Sequence, residues 1–85
     1  MDQTITSQEN EQITLNDLGL VGSIVNNGIS IEGLDRSHAR KIGFIFKNSI
    51  KLQQVIRDYW SGNLFVNART YFDDIKMLKN LIHSE

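Results

Sequence analysis

The fold is decided by a run in the middle of the chain in which apolar side chains occupy every second position, Ile42-Gly43-Phe44-Ile45-Phe46-Lys47. Successive side chains of a strand point to opposite faces, so the run predicts a strand with both phenylalanines and Ile42 on its buried face. Upstream, residues 29–32 alternate Ile, Ser, Ile and Glu, which predicts a second strand. Residues 33–39 between the two are too many for a two-residue turn, so we expect a loose hairpin.

Apolar residues at helical spacing predict three helices around these strands. A residue type that caps helix N-termini precedes each of them: Asn16 or Asp17, Asn48 or Ser49, and Asn67. Gly28 and Gly62 follow the first two helices, where a left-handed residue commonly ends a helix. The apolar residues of the third helix are Tyr71, Phe72, Ile75, Leu78, Leu81 and Ile82.

Two further short segments, residues 13–15 and residues 64–66, have the composition of extended chain, and the sequence leaves open whether either adds a strand. The predicted fold is therefore α+β: a small antiparallel sheet of two to three strands with three helices, in the order α-β-β-α-(β)-α. Residues 1–12 are predicted to be a disordered acidic and polar tail. Residues 13–85 are predicted to form a single domain.

Residue types that carry catalysis or bind metals are scarce. The chain has no Cys, so neither a thiol nucleophile nor a thiolate metal site is available. Its two histidines, His38 and His83, lie in a predicted loop and near the C-terminus, and no elbow motif presents a serine to either. Glycine-rich phosphate motifs are absent from the sequence. We therefore predict that the protein is not an enzyme, with no catalytic residue, metal or cofactor.

Neither a membrane span nor a secretory signal is predicted. The longest apolar runs, such as Phe44-Ile45-Phe46, have three residues, whereas about 20 are needed to cross a bilayer. The N-terminal residues have neither a basic start nor an apolar stretch. We expect a cytoplasmic protein with no membrane partner.

The charges are unevenly distributed along the chain. The first 34 residues contain five acidic residues and no Lys or Arg, and all nine basic residues follow them. Six basic residues occur without an intervening acid: Arg36, Arg40, Lys41, Lys47, Lys51 and Arg57. Such a segment can neutralise phosphates of a nucleic acid, or it can simply keep a small domain soluble.

Large aromatic residues surround the predicted end of the second helix. Tyr59 and Trp60 precede Gly62, and Phe65 follows it. Exposed aromatics beside basic residues are typical of protein-binding hot spots, whereas in a domain this small the same residues could all be core. We predict contact with a partner through this corner, residues 59–65, and through the loop 36–41, which includes His38.

The sequence resembles a family of short uncharacterised domains found in phages and bacteria. The resemblance covers residues 14–82 and rests on a Phe-x-Phe strand, a Tyr-x-x-Gly helix end and a closing Leu-Lys helix: Phe44-Ile45-Phe46, Tyr59-Trp60-Ser61-Gly62 and Leu78-Lys79. The start of the first helix departs from the family pattern, with one extra residue before Asp17-Leu18. The resemblance implies a phage or mobile-element setting and supplies no active site.

Together these observations predict a non-catalytic protein-interaction module, an accessory or adaptor protein or an inhibitor of a host factor. The alternative is a nucleic-acid-binding accessory protein that uses the basic segment 36–57. Self-association through an edge of the small sheet is a further expectation, since open edges present unpaired backbone groups.

Overall fold

The computed structural model describes residues 11–38 and 40–84. In chain order these residues form β1 (Gln12–Leu15), α1 (Leu18–Asn26), β2 (Gly33–Asp35), β3 (Gly43–Lys47), α2 (Ile50–Ser61) and α3 (Ala68–His83). The predicted α+β class, with three helices and a small antiparallel sheet, is confirmed. The tail predicted for residues 1–12 lies outside the described residues up to residue 10, and β1 already begins at Gln12.

The sheet has three strands in the order β1-β3-β2, and both pairs are antiparallel. The central strand β3 is therefore the alternating run on which the fold prediction rests. Its Phe44 lies opposite Leu15 of β1 on one side and opposite Leu34 of β2 on the other. The third strand comes from β1, and residues 64–66 form no strand.

The strand predicted over residues 29–32 is wrong, because β2 lies at Gly33–Asp35. Ile29 and Ile31 do pack against the core, as their alternation indicates. The backbone contact of this segment with β3 is a hydrogen bond from Glu32 N to Ile45 O at 2.7 Å, at the end of the segment next to β2. An extended segment beside the sheet can bury every second side chain without forming a ladder, so periodicity alone did not distinguish the two.

Each helix begins at a capping side chain within the predicted set. Asp17 Oδ1 accepts from Leu20 N at 3.0 Å, and Ser49 Oγ accepts from Leu52 N at 3.0 Å. Asn67 caps α3 by accepting from the backbone of its first turn at 3.0 Å. These bonds satisfy amides that have no partner inside the helix. The helix boundaries therefore follow from local residue types.

The core lies between the helices and one face of the sheet. Eight apolar side chains are buried there: Leu20, Val21, Ile24, Phe44, Phe46, Leu52, Val55 and Leu78. They come from all three helices and from β3. Since Phe44 and Phe46 point inward, Gly43, Ile45 and Lys47 face the opposite side of the sheet.

Helix α1 packs closely against α3. Gly22 makes the approach close, because a Cβ atom at this position would lie 2.6 Å from Ile75 Cδ1 and 3.2 Å from Tyr71 Cε1. At the end of α1, Asn26 Nδ2 donates to Thr70 Oγ1 and to Asp74 Oδ2, both at 2.9 Å. One side chain thus ties the last turn of α1 to the first turns of α3.

Asn26 also anchors the segment that leads into α3, since its Oδ1 accepts from Asn67 N at 3.0 Å. We expect Asn26→Ala to lower the free energy of unfolding by about 2 kcal/mol, because three hydrogen bonds worth roughly 0.5–1.5 kcal/mol each are lost. Urea denaturation followed by circular dichroism measures the change. Asn80→Ala, at an exposed position of α3, is the control and should leave stability unchanged or slightly raised. Equal stability of the two variants would contradict the anchoring role.

Candidate functional site

Large apolar side chains are exposed where α2 ends and the chain crosses to α3. Trp60 in the last turn of α2 is 65% exposed, and Phe65 in the connecting segment is 88% exposed. Val66 beside it is partly exposed. We call Trp60, Phe65 and Val66 the aromatic corner. Two of the three aromatic residues predicted to contact a partner, Trp60 and Phe65, are thus exposed to solvent.

Tyr59 has a different environment from its neighbour. Its ring packs against the core and meets the Trp60 ring edge-on, at 5.0 Å between centroids. Its hydroxyl lies 2.7 Å from the place that a Cβ of Gly19 would occupy. Burial raises the pKa of Tyr59, and the nearby charge of Asp17 raises it further. Tyr59 therefore supports the Trp60 ring and joins α2 to α1. Unlike Trp60, it is not part of the aromatic corner.

Arg36 binds within the protein. Its guanidinium donates to the carbonyl oxygens of Leu81, Ile82 and Ser84, at 2.7, 3.3 and 3.1 Å. Leu81 and Ile82 belong to the last turn of α3 and Ser84 is its C-cap residue, and at this end of a helix the dipole favours a cation. Arg36 thus caps the C-terminus of α3 from the loop between β2 and β3. Its guanidinium group is therefore engaged in hydrogen bonds within the protein.

Three other loop residues that the sequence singled out lie together. His38, Arg40 and Lys41 line an open depression of about 680 Å³ at the end of the sheet. The remaining lining residues are Thr14, Asn16, Asp35 and Gly43. Sequence reasoning missed these four, because only the register of β1 and β2 on β3 brings them to the loop.

The other basic candidates are dispersed. Lys47 ends β3 at the far side from Lys41, about 20 Å away at strand spacing. Lys51 lies in the first turn of α2, with its Nζ near Gly28. Arg57 is exposed one turn before Trp60 on the same helix. Together with the capping role of Arg36, this arrangement breaks the basic segment into separate sites.

Three exposed apolar residues lie outside both the candidate set and the aromatic corner, namely Ile50, Phe72 and Met77. Ile50, the first residue of α2, is 78% exposed, and Phe72 on α3 is 63% exposed. Lys76 Nζ lies 5.0 Å from the centroid of the Phe72 ring, a cation–π contact on the outer side of α3. The exposure of Ile50 and Phe72 could have been predicted from helical spacing, because neither lies on the same side of its helix as the buried residues.

Metal-binding side chains are not clustered in the described part of the chain. Within residues 11–38 and 40–84 there is no group of three or more His, Cys, Asp or Glu side chains that could hold a metal ion. Asp35 accepts from Ser37 N at 2.9 Å, and hydrogen bonds from Ser37 lower the pKa of its carboxyl group. No helix in this part of the chain is long and apolar enough to cross a membrane.

Fold and surface together define a small α+β domain that carries the aromatic corner and a depression lined by basic residues. Its sequence matches the family model described as Domain of unknown function (DUF5659) over residues 10–84. The chain therefore belongs to that family, which agrees with the expected likeness to uncharacterised domains. Comparison with curated proteins and with solved structures gives no match.

Proposed function

We propose that this chain is a non-catalytic protein-interaction module that engages a protein partner through the aromatic corner. The observation that carries the proposal is the 88% exposure of Phe65 in a segment that is held at both ends. Leu64 packs against the core on one side, and Asn67 N is bonded to Asn26 on the other. An exposed phenylalanine in a fixed segment loses little conformational entropy on binding.

Trp60 is held equally well. Its helix ends at Gly62, which has a left-handed φ of +79°, and Asn63 N donates to Asp58 O at 2.9 Å across the turn. Tyr59 supports the Trp60 ring from the core side. Trp and Arg are enriched among residues that dominate binding energy, and Arg57 lies one turn away on α2. A partner with an apolar cleft and an acidic rim would complement these residues.

The resemblance to phage and bacterial domains supports a host protein as the partner, with this chain acting as an accessory, adaptor or inhibitor protein. Self-association through the outer edge of β1 or β2 is the competing form of protein binding. Light scattering of the purified protein across concentrations distinguishes the two, because a sheet-edge dimer forms without any host component.

The test is capture of partners on immobilised protein, followed by titration of each purified partner with three forms of the chain. The double variant Trp60→Ala/Phe65→Ala should bind at least about 100-fold more weakly, since hot-spot truncations cost about 2 kcal/mol or more each. Phe72→Ala removes a similarly exposed aromatic ring from α3 and should bind like the wild type. A partner that binds the double variant as tightly as the wild type would overturn the proposal.

The alternative, a nucleic-acid-binding accessory protein, would use the basic residues between Arg36 and Arg57. Their dispersion over separate parts of the surface argues against one continuous contact with a phosphate backbone. Fluorescence anisotropy with labelled single- and double-stranded DNA and RNA checks this directly. Binding that weakens steeply with salt and is lost in Arg40→Glu/Lys41→Glu would favour the alternative.

A further inference from the structure

Gly43 of β3 lines the open depression at the end of the sheet. Gly43 faces the side of the sheet away from the helices, between Thr14 of β1 and Asp35 of β2. A Cβ atom at Gly43 would lie 2.5 Å from Thr14 Cγ2 and 3.3 Å from Asp35 Cβ. Thr14 and Asp35 therefore already fill the space that a side chain at Gly43 would take, and the loop before β3 provides the rim of this recess.

The groups around this recess are suited to an oxyanion. Arg40 and Lys41 contribute two positive charges, and the imidazole of His38 lines the depression beside them. The Thr14 hydroxyl and the Asn16 amide add neutral hydrogen-bond donors. Arginine and lysine together bind phosphate oxygens well, because guanidinium and ammonium groups donate charge-assisted hydrogen bonds.

Asp35 contributes the one negative charge in this lining, and its hydrogen bonding assigns it to the loop. Its carboxylate accepts from Ser37 N at 2.9 Å, which forms a turn typical of Asp at the start of a loop. The lining therefore keeps a net positive charge from Arg40 and Lys41 even with Asp35 ionised. Asp35 shapes the rim that presents the cations.

A second depression of about 220 Å³ adjoins the first and shares Asn16, Arg40 and Lys41 with it. Its other lining residues are apolar: Leu18, Ile42, Phe44 and Ile82. The two cations thus stand between a polar lobe and an apolar lobe. A ligand that fills both would carry an anionic group joined to an apolar or ring-shaped part.

We propose that this pair of depressions is a binding site for a small organic phosphate, with the phosphate held by Arg40, Lys41 and Thr14 and the ring part against Leu18 and Ile42. The site is separate from the aromatic corner, so it can exist whether or not that corner binds a protein. The separation of Lys47 and Lys51 from it favours a small molecule over a long polyanion.

Nuclear magnetic resonance titration tests the site with nucleoside 5′-monophosphates, the corresponding uncharged nucleosides and inorganic phosphate as probes. The monophosphates should shift the amide signals of Asn16, Lys41 and Gly43 together with those of Leu18 and Ile42. Inorganic phosphate should bind more weakly, and nucleosides should not bind measurably. Absence of localised shifts with every phosphate probe, or inorganic phosphate binding as tightly as the monophosphates, would overturn the proposal.

Two double variants with the same change in net charge provide the control. Arg40→Gln/Lys41→Gln should weaken monophosphate binding at least about tenfold, because each substitution removes a charged hydrogen-bond donor to the phosphate. Lys76→Gln/Lys79→Gln on α3 should change it by less than about twofold, because distant surface charges are screened. Equal weakening in both would show nonspecific charge attraction and would sink the site.

A third variant, Thr14→Val, keeps the shape of the wall, removes one donor and leaves the charge unchanged. It should weaken monophosphate binding several-fold. Binding as tight as in the wild type would show that Thr14 does not hold the phosphate. Trp60→Ala/Phe65→Ala should bind monophosphates normally. Its result separates failure of this site from failure of the proposed protein-binding function.

Discussion

Replacing Phe46 with Ala is expected to lower the free energy of unfolding by about 3–5 kcal/mol, as large truncations in protein cores do. Phe46 is 0% exposed and stands in the central strand of the sheet, opposite Ile13 of β1. A domain of this length has a total stability of roughly 4–13 kcal/mol, so the substitution removes a large share of it. Urea denaturation measured by circular dichroism or Trp60 fluorescence gives the change directly.

Phe65→Ala is the matched control, since it removes the same side chain from a position that is 88% exposed. Its effect should stay within about 0.5 kcal/mol, because surface substitutions away from specific contacts are close to neutral. A stability loss at Phe65 comparable with that at Phe46 would mean that the corner is part of the core. It would then be unavailable to a partner.

Gly22→Leu is expected to destabilise the protein by about 3 kcal/mol, although leucine is a far better helix former than glycine. The new side chain would occupy space that Ile75 and Tyr71 of α3 already fill. Because α1 has buried residues along most of its length, it cannot shift away from α3 without disturbing the core. Thermal and urea unfolding both report the loss.

A double-variant cycle with Ile75→Ala locates the cause. If Ile75 Cδ1 is the obstructing atom, the double variant should be more stable than the sum of the two single changes predicts. Gln54→Leu, which adds a leucine at an exposed position of α2, should be nearly neutral. Additive effects of Gly22→Leu and Ile75→Ala would contradict close packing between α1 and α3.

The parts of the fold that depend on neighbouring residues could be predicted from the sequence. The caps at Asp17, Ser49 and Asn67 act within three residues of themselves, so their residue types suffice. The buried face of β3 follows from alternation for the same reason. The position of β2, by contrast, could not be predicted. Whether residues 29–32 or residues 33–35 form the strand depends on which backbone groups bond to β3, and side-chain alternation carries no information on that.

The candidate site could be predicted only in part. The basic loop residues could be identified by their charge. The hydrogen bonds of Arg36 could not, because their acceptors are carbonyl groups 45 to 48 positions later in the chain. Thr14 and Asn16 join Lys41 only because β1 pairs with β3 in one register. The sequence allowed Trp60 and Phe65 to be either core residues or exposed residues. Only the tertiary packing, which leaves both exposed, distinguishes the two.

The position of β3 in the sheet has a consequence for the order in which the protein can fold as it is synthesised. Strand β1 is made first, but its neighbour begins 28 residues after it ends, at Gly43. At synthesis rates of ~5–20 residues per second, the first strand waits for seconds before any sheet exists. Because β1 and β2 both pair with β3, neither has a strand partner until residues 43–47 have been made.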